Sequence, residues 1–348
     1  MKISEYVSVG HPDKVADYIS ESILDHFLLR DPDVRYAVEV QIKDNHVTLG
    51  GEVTTVAATP NWHNLVKCAL AEIGYTEEYC DRWGTENTID PSKLVVDAHI
   101  GTQSPDIAQG VNKDGWGDQG IFWGMACRDT EEQLPLDYYL AKKLCQQLYR
   151  DSKVGQPWGL DIKTQVVLDE GNNVTKVIVA APCFPHDYDL LYVHVKTYVQ
   201  TLFPTTAEAV EIIVNGTGAY VKHASVGDCG TTGRKLAVDF YGGNCRIGGG
   251  SPWTKDPTKA DLSLNLLARE LAKIAVKERD IPVAYVSLGC CIGRPEIDVT
   301  IYGEHNNVLD SYTYTMGPQE VIERLKLKKP IYSNMCMYGL WSERNAEI

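Results

Sequence analysis

Residues 227–261, GDCGTTGRKLAVDFYGGNCRIGGGSPWTKDPTKAD, hold eight glycines, five basic residues and four aspartates within an otherwise acidic chain. Glycines let a backbone come close to a ligand, and Arg234, Lys235, Lys255 and Lys259 are charges suited to phosphate oxygens. The chemistry expected of this stretch is the binding of a polyphosphate. A P-loop is excluded, because that pattern needs Gly-Lys followed by Ser or Thr at the start of a helix. Here Arg234 precedes Lys235, Leu236 follows, and LAVDFY reads as a strand. Taken alone, Gly233-Arg234-Lys235 reads as a hairpin turn with exposed cations; the second glycine run, Gly248 to Gly250, with Lys255 and Lys259 close behind, weighs against that.

Three other tracts carry groups of interest. Gly10-His11-Pro12-Asp13-Lys14 sets a histidine, a carboxylate and a lysine at a helix start, where free N–H groups and the helix dipole favour anions. On spacing alone, His11 caps the helix and Asp13 complements the dipole. Glu39 and Glu52 lie near the middle of two strands, where carboxylates usually mark a solvated face. Finally, Gly101-Thr102-Gln103-Ser104-Pro105-Asp106-Ile107 and Gly115-Trp116-Gly117-Asp118-Gln119-Gly120 frame a loop that reads as a surface turn or as a lid with glycine hinges.

The elements that must position these groups come in a repeated order. Val15, Ala16, Ile19, Ile23 and Phe27 share one face of a helix that begins at Pro12 and ends before Pro32. From Val34 the period changes to two, with Val34, Tyr36, Val38, Val40 and Ile42 on one side. Asp44-Asn45 turns the chain into a second strand; a helix from about Asn61 to Ile73 and a strand from Leu94 to Ile100 complete the unit. Helix, hairpin, helix and strand return between Pro135 and Val214, and less completely from Ala260 onward. Three units spaced on the order of 120 residues predict a triplicated α+β architecture, each unit a mostly antiparallel sheet with helices on one face. The expected division is 1–112, 113–227 and 228–348, with strands free to exchange between units.

Composition narrows the partners. A formal net charge of −14 over 348 residues argues against nucleic acid or an acidic membrane as a partner and for a small anionic ligand. The N-terminus has no signal-peptide core, and no apolar run approaches the roughly 18 residues of a membrane span, so a cytoplasmic location is expected. Ten cysteines without a C-x-x-C read as reduced thiols, and without an H-E-x-x-H pattern the nine histidines point to no histidine-ligated metal.

Taken together, GHPDKVAD, GGEVTT, IGTQSPDIAQGV, GDQG, GDCGTTGRK, VDFYGG, RIGGG and KDPTKAD, in that order, resemble the S-adenosylmethionine synthetase family from Glu5 to about Asp261. The resemblance implies transfer of the adenosyl group of ATP to the sulfur of L-methionine, with the departing triphosphate cleaved to phosphate and diphosphate. It implies that His11 contacts the phosphate chain beside C5′ and that Asp13 and Asp261 bind magnesium, as two ions. It assigns Lys163, Arg234, Lys235, Lys255 and Lys259 to the triphosphate, Tyr220 to the adenine ring and Glu39 to potassium. Glu52, Gln103, Asp118 and Asp228 match positions around methionine. It further implies a homodimer or dimer of dimers with active sites at the subunit boundary. A non-catalytic nucleotide-binding homologue and a methionine-independent triphosphatase are the competing readings.

Departures from the family pattern bear on the site. The loop between Asp106 and Asp118 is several residues shorter than is common, which implies less complete closure. Asn215-Gly216-Thr217-Gly218-Ala219-Tyr220 lacks a proline and a cation usual to that tract. Val9 replaces a usual glutamate, Ile247 stands where histidine is common, and Ser251-Pro252-Trp253-Thr254 replaces Ala-Phe-Ser-Gly before Lys255.

Overall fold

Three hairpins with apolar residues at every second position have each become the middle of a four-stranded sheet. The computed structural model describes residues 1–102, 115–203 and 210–341. In the first sheet, β2 (Arg35–Lys43) and β3 (His46–Thr54) form the hairpin, β4 (Val95–Gly101) lies parallel to β3, and β9 (Gly230–Thr231) lies antiparallel to β2. The second sheet runs β1 (Lys2–Val7), β6 (Lys163–Leu168), β7 (Val174–Ala180) and β8 (Glu211–Val214). The third runs β12 (Val308–Thr315), β11 (Glu296–Tyr302), β10 (Val283–Cys290) and β5 (Gly120–Cys127).

The repeat is imperfect for a physical reason. In the first sheet the chain leaves the hairpin through α2 (Trp62–Ile73) and α3 (Glu77–Trp83), and in the second through α5 (Tyr188–Leu202). A helical crossover returns the next strand parallel. In the third, only the turn 303–307 separates β11 from β12, so β12 returns antiparallel.

Each sheet is closed at one edge by a strand from a distant part of the chain. β1 completes the second sheet, β5 the third, and β9 the first. None of these three, nor β12, is marked by the sequence pattern. LAVDFY, expected as a strand, instead starts as the short helix α7 (Leu236–Asp239), its backbone bonds closed locally. The first and second sheets share one continuous apolar core, in which Tyr36, Val38, Val40 and Ile42 are buried as the period of two predicts. The third sheet packs a separate core against α8 (Ala260–Glu278), through Leu264, Leu267, Val286 and Val299. All ten cysteines are free thiols, and among the described residues no helix is long and apolar enough to cross a membrane.

The central element is α1 (Pro12–Leu28), fifteen of whose 17 residues are buried. It packs against α2, β2, β9 and α10 (Tyr332–Tyr338). A helix enclosed on all sides is normally apolar all round. This one carries Asp13, Asp17, Glu21 and Asp25, each of which must find partners in the interior.

Candidate active site

The N-terminus of α1 gathers the first cluster. His11 is the N-cap, and its Nδ1 accepts the Asp13 N–H at 3.2 Å. The capping role read from spacing therefore holds, but the ring does not act alone. Burial, with the charges of Lys163 and Lys235, pushes its pKa down to about 3. The imidazole is neutral at physiological pH, and because Nδ1 accepts, its proton resides on Nε2. Asp13 pairs with Lys235 through Oδ2, while its Oδ1 accepts the Thr231 N–H at 3.0 Å and lies 3.7 Å from Arg234. Burial works against the Asp13 charge, but Lys235, Thr231 and the other charges outweigh it and lower its pKa.

From Asp13 the acidic residues of α1 recur every fourth position, one above another on the helix. Asp17 accepts the Gly233 N–H at 2.9 Å and lies 3.0 Å from Lys14, which in turn binds Asp239 at 2.6 Å. Glu21 accepts the Thr254 N–H at 2.6 Å. Asp25 accepts the N–H groups of Tyr332 and Ser333 at 3.0 and 2.8 Å. Three rungs of this ladder thus hold three points of the 227–261 segment. The signal that would have found it is present in the sequence as Asp13, Asp17, Glu21 and Asp25 at a constant spacing of four, and it was not read.

The second cluster lies at the start of α8. Asp261, in its first turn, pairs with Lys255 and accepts the Gly250 N–H at 2.8 Å. Lys255 also donates to the Ser251 carbonyl at 3.2 Å. Lys259 lies 3.9 Å from Asp256, a fully buried carboxylate that accepts the Tyr36 N–H at 2.8 Å. Two glycines of residues 227–261 are required by the protein's own packing. A Cβ on Gly230 would enter the Pro12 carbonyl, and one on Gly248 would enter the Ile121 carbonyl of β5.

Near the first cluster lies Asp161, which sequence reasoning missed. It accepts the Ala224 N–H at 3.1 Å, and its other oxygen is buried with no hydrogen-bond partner. Burial pushes its pKa up to about 6 against the opposing pull of the Ala224 N–H, Lys163 and Lys235, with Asp228 raising it further. Burial, and then the charge of Asp161, push the Tyr220 pKa up. Asp161 is therefore within electrostatic reach of Lys163, Lys235, Asp228 and Tyr220. Only its position two residues before Lys163 would have hinted at it.

The remaining groups stand on a sheet face or on loops. Glu39 and Glu52 share the outer face of the first sheet, Glu39 opposite Gly50 and Glu52 opposite Ala37 and Gly101. Both Glu39 oxygens accept hydroxyls, from Thr232 and, at 3.0 Å, from Thr254. Asp118 and Asp228 are exposed, each accepting the N–H of the residue that follows, at 2.7 and 2.8 Å. The Asp118 carbonyl accepts the Cys290 thiol at 3.4 Å. Gln103 and most of the expected lid lie outside the described residues.

Comparison with known proteins bears directly on this geometry. Models of the N-terminal, central and C-terminal domains of S-adenosylmethionine synthetase match residues 1–105, 113–220 and 223–347. The S-adenosylmethionine synthase of Akkermansia muciniphila is 35% identical, covering 97% of this chain and 91% of its own. The chain belongs to the S-adenosylmethionine synthetase family. The enzyme of that name from a Nitratiruptor species is 34% identical over the same shares of both chains. A solved structure described as an unusual S-adenosylmethionine synthetase from Campylobacter jejuni superposes with a TM-score of 0.89 at 31% identity, covering 97% of this chain and 93% of its own. The family makes the chain a transferase of S-adenosylmethionine biosynthesis and generally uses magnesium and potassium.

The donors present fit those ions. Among the described residues no three His, Cys, Asp or Glu side chains converge on one point, so no all-protein metal cage is built. Magnesium does not require one, since it is typically held by one or two carboxylates together with water and substrate phosphates. Asp13 and Asp261 supply such carboxylates beside Lys235 and Lys255. Around Glu39 the set is all oxygen, a carboxylate with the Thr232 and Thr254 hydroxyls, which suits a hard monovalent cation.

Proposed function

We propose that this chain joins ATP and L-methionine to form S-adenosylmethionine and cleaves the displaced triphosphate to phosphate and diphosphate. The observation that carries the reading is the pairing of the two carboxylates assigned to magnesium with lysines assigned to the triphosphate: Asp13 with Lys235 and Asp261 with Lys255. Each pair is poised to exchange, lysine to phosphate oxygen and carboxylate to metal, when the nucleotide enters. Bound magnesium would neutralise phosphate charge that the lysines alone leave uncompensated.

The chemistry asked of the protein is positioning and charge stabilisation. A thioether sulfur needs no deprotonation, so no general base is required as it displaces the triphosphate from C5′. The neutral His11 then serves as a hydrogen-bond donor to the oxygen that leaves, with no ammonium-like charge to desolvate. Lys163, Arg234, Lys235, Lys255 and Lys259 hold the leaving chain and orient it for hydrolysis. Tyr220 stacks on adenine, with Asp161 beside it on the nucleoside. Glu52, Gln103, Asp118 and Asp228 receive methionine, their carboxylates pairing with its ammonium group. Glu39 with its two hydroxyls holds potassium.

The active unit is a homodimer or dimer of dimers in the cytoplasm, with no nucleic-acid or membrane partner. The outer face of the first sheet supports this, because Glu39, Gln41, Thr48, Asp97 and His99 leave it exposed beside the methionine groups. An isologous pairing of that face would close each site with a second copy. The division 1–112, 113–227 and 228–348 is kept as the working domain scheme. The test is to incubate the protein with ATP, magnesium and potassium, with and without methionine, and to follow sulfonium and phosphate together. Sulfonium with matching phosphate is expected; phosphate without sulfonium identifies a triphosphatase, and neither product identifies a binding homologue.

A further inference from the structure

Among the described residues ten that are not glycine adopt a positive φ, and only one of them, Thr254 at 73°, is β-branched. A β-branched side chain in the left-handed region is a conformational outlier, and such residues persist only where the surroundings over-determine them. Thr254 is buried, and all three of its polar groups are fixed. Its N–H donates to Glu21 Oε1 at 2.6 Å, its carbonyl accepts the Val38 N–H at 3.1 Å, and its hydroxyl donates to Glu39 Oε1 at 3.0 Å. The preceding residue is held as well, since the buried Trp253 ring lies under the Lys14 ammonium at 4.4 Å. The following residue is Lys255, bridged by its backbone to Ala37 of β2.

Glu21 is the member of this arrangement whose cost is hardest to explain otherwise. It is a fully buried carboxyl on α1, its Oε2 has no hydrogen-bond partner, and Oε1 has the Thr254 N–H. We infer that Glu21 is a positioning residue for the reaction: it holds Thr254 in the left-handed conformation, and that conformation sets the direction in which the chain presents Lys255. The inference rests on the reading above that Lys255 acts on the triphosphate, and it adds to that reading a residue that touches neither substrate nor metal.

The test is a double-mutant cycle between Glu21 and Thr254. Glu21→Met keeps length and burial but removes the acceptor; Glu21→Gln keeps an acceptor oxygen. Thr254→Gly abolishes the conformational strain, so the clamp is no longer needed. In the Thr254 background, Glu21→Met should lower kcat at least about tenfold while leaving KM for methionine within about twofold, and Glu21→Gln should retain kcat within about threefold. In the Thr254→Gly background, Glu21→Met should change kcat by less than about threefold. Equal losses in both backgrounds overturn the inference, as does a Glu21→Met protein with a lowered melting temperature and an unchanged kcat. Lys255→Ala run alongside separates the two ideas: an unchanged turnover there removes the triphosphate reading of Lys255, whereas a large loss there with no Glu21–Thr254 coupling removes only the positioning role.

Discussion

The two sides of the candidate site are built differently. The side proposed for the triphosphate is locked from within one chain: Asp13, Asp17 and Glu21 hold Thr231, Gly233 and Thr254 by their backbone N–H groups, and Lys235 and Lys255 are paired with carboxylates. On the side proposed for methionine, the carboxylates of Asp118 and Asp228 are exposed and each accepts the backbone N–H of the next residue, and Glu52 lies on the open face of a sheet. The contrast teaches where precision is required. Charge developing on a leaving triphosphate is stabilised only by groups already in place, whereas an ammonium ion can be met by carboxylates that settle when the site is closed by a second surface.

Lys255→Ala should break the locked side most severely, lowering kcat roughly 10²-fold or more if it stabilises the leaving charge. Steady-state sulfonium formation at saturating ATP and methionine measures this, and a wild-type kcat would move Lys255 out of the mechanism. On the open side the expectation is gentler. Glu52→Gln should raise KM for methionine about tenfold with kcat within about threefold, because it removes binding common to ground and transition states. A fall in kcat with KM unchanged would erase the distinction between the two sides.

The ladder itself can be divided. Asp25 touches only Tyr332 and Ser333 at the far end of α1, so Asp25→Ala should cost about 2 kcal/mol of stability by stranding two N–H groups, without changing kcat. Thermal melting beside a turnover assay decides, and a loss of turnover in fully folded protein would extend the catalytic wall to that end of the helix.

A further contrast concerns pH. The folded state holds His11 near pKa 3, against about 6.5 in the unfolded chain, so below pH 6.5 the unfolded state binds a proton that the folded state refuses. Stability therefore falls as pH drops from 6.5 toward 3, and His11→Asn, which keeps a capping side chain, should flatten that slope by about one proton. Melting temperatures of both proteins between pH 7 and 4 test it; parallel curves would mean that His11 protonates freely in the folded protein.

The sequence by itself determined the α+β class, the three hairpins and the family. Each of these depends on local periodicity or on short ordered motifs: Tyr36 to Ile42 alternate because a strand has period two, and Pro12 opens a helix because its missing N–H costs nothing there. It also named most of the polar groups, but it did not show what two of the glycines in 227–261 pack against. Gly230 and Gly248 are needed for contact with Pro12 and Ile121, residues more than a hundred positions away. Strands β1, β5 and β9 were likewise invisible, since an edge strand is defined by the partner it meets and not by its own pattern. Only the tertiary structure decided that four carboxylates on one helix would be buried, which backbone N–H groups they would hold, and that Asp161 would be buried within the electrostatic reach of Lys163, Lys235 and Asp228. Burial is what gives these groups their chemistry: in water a carboxylate ladder is a solvated face, whereas inside the protein each rung must find a donor, and the donors it finds fix the wall of the site.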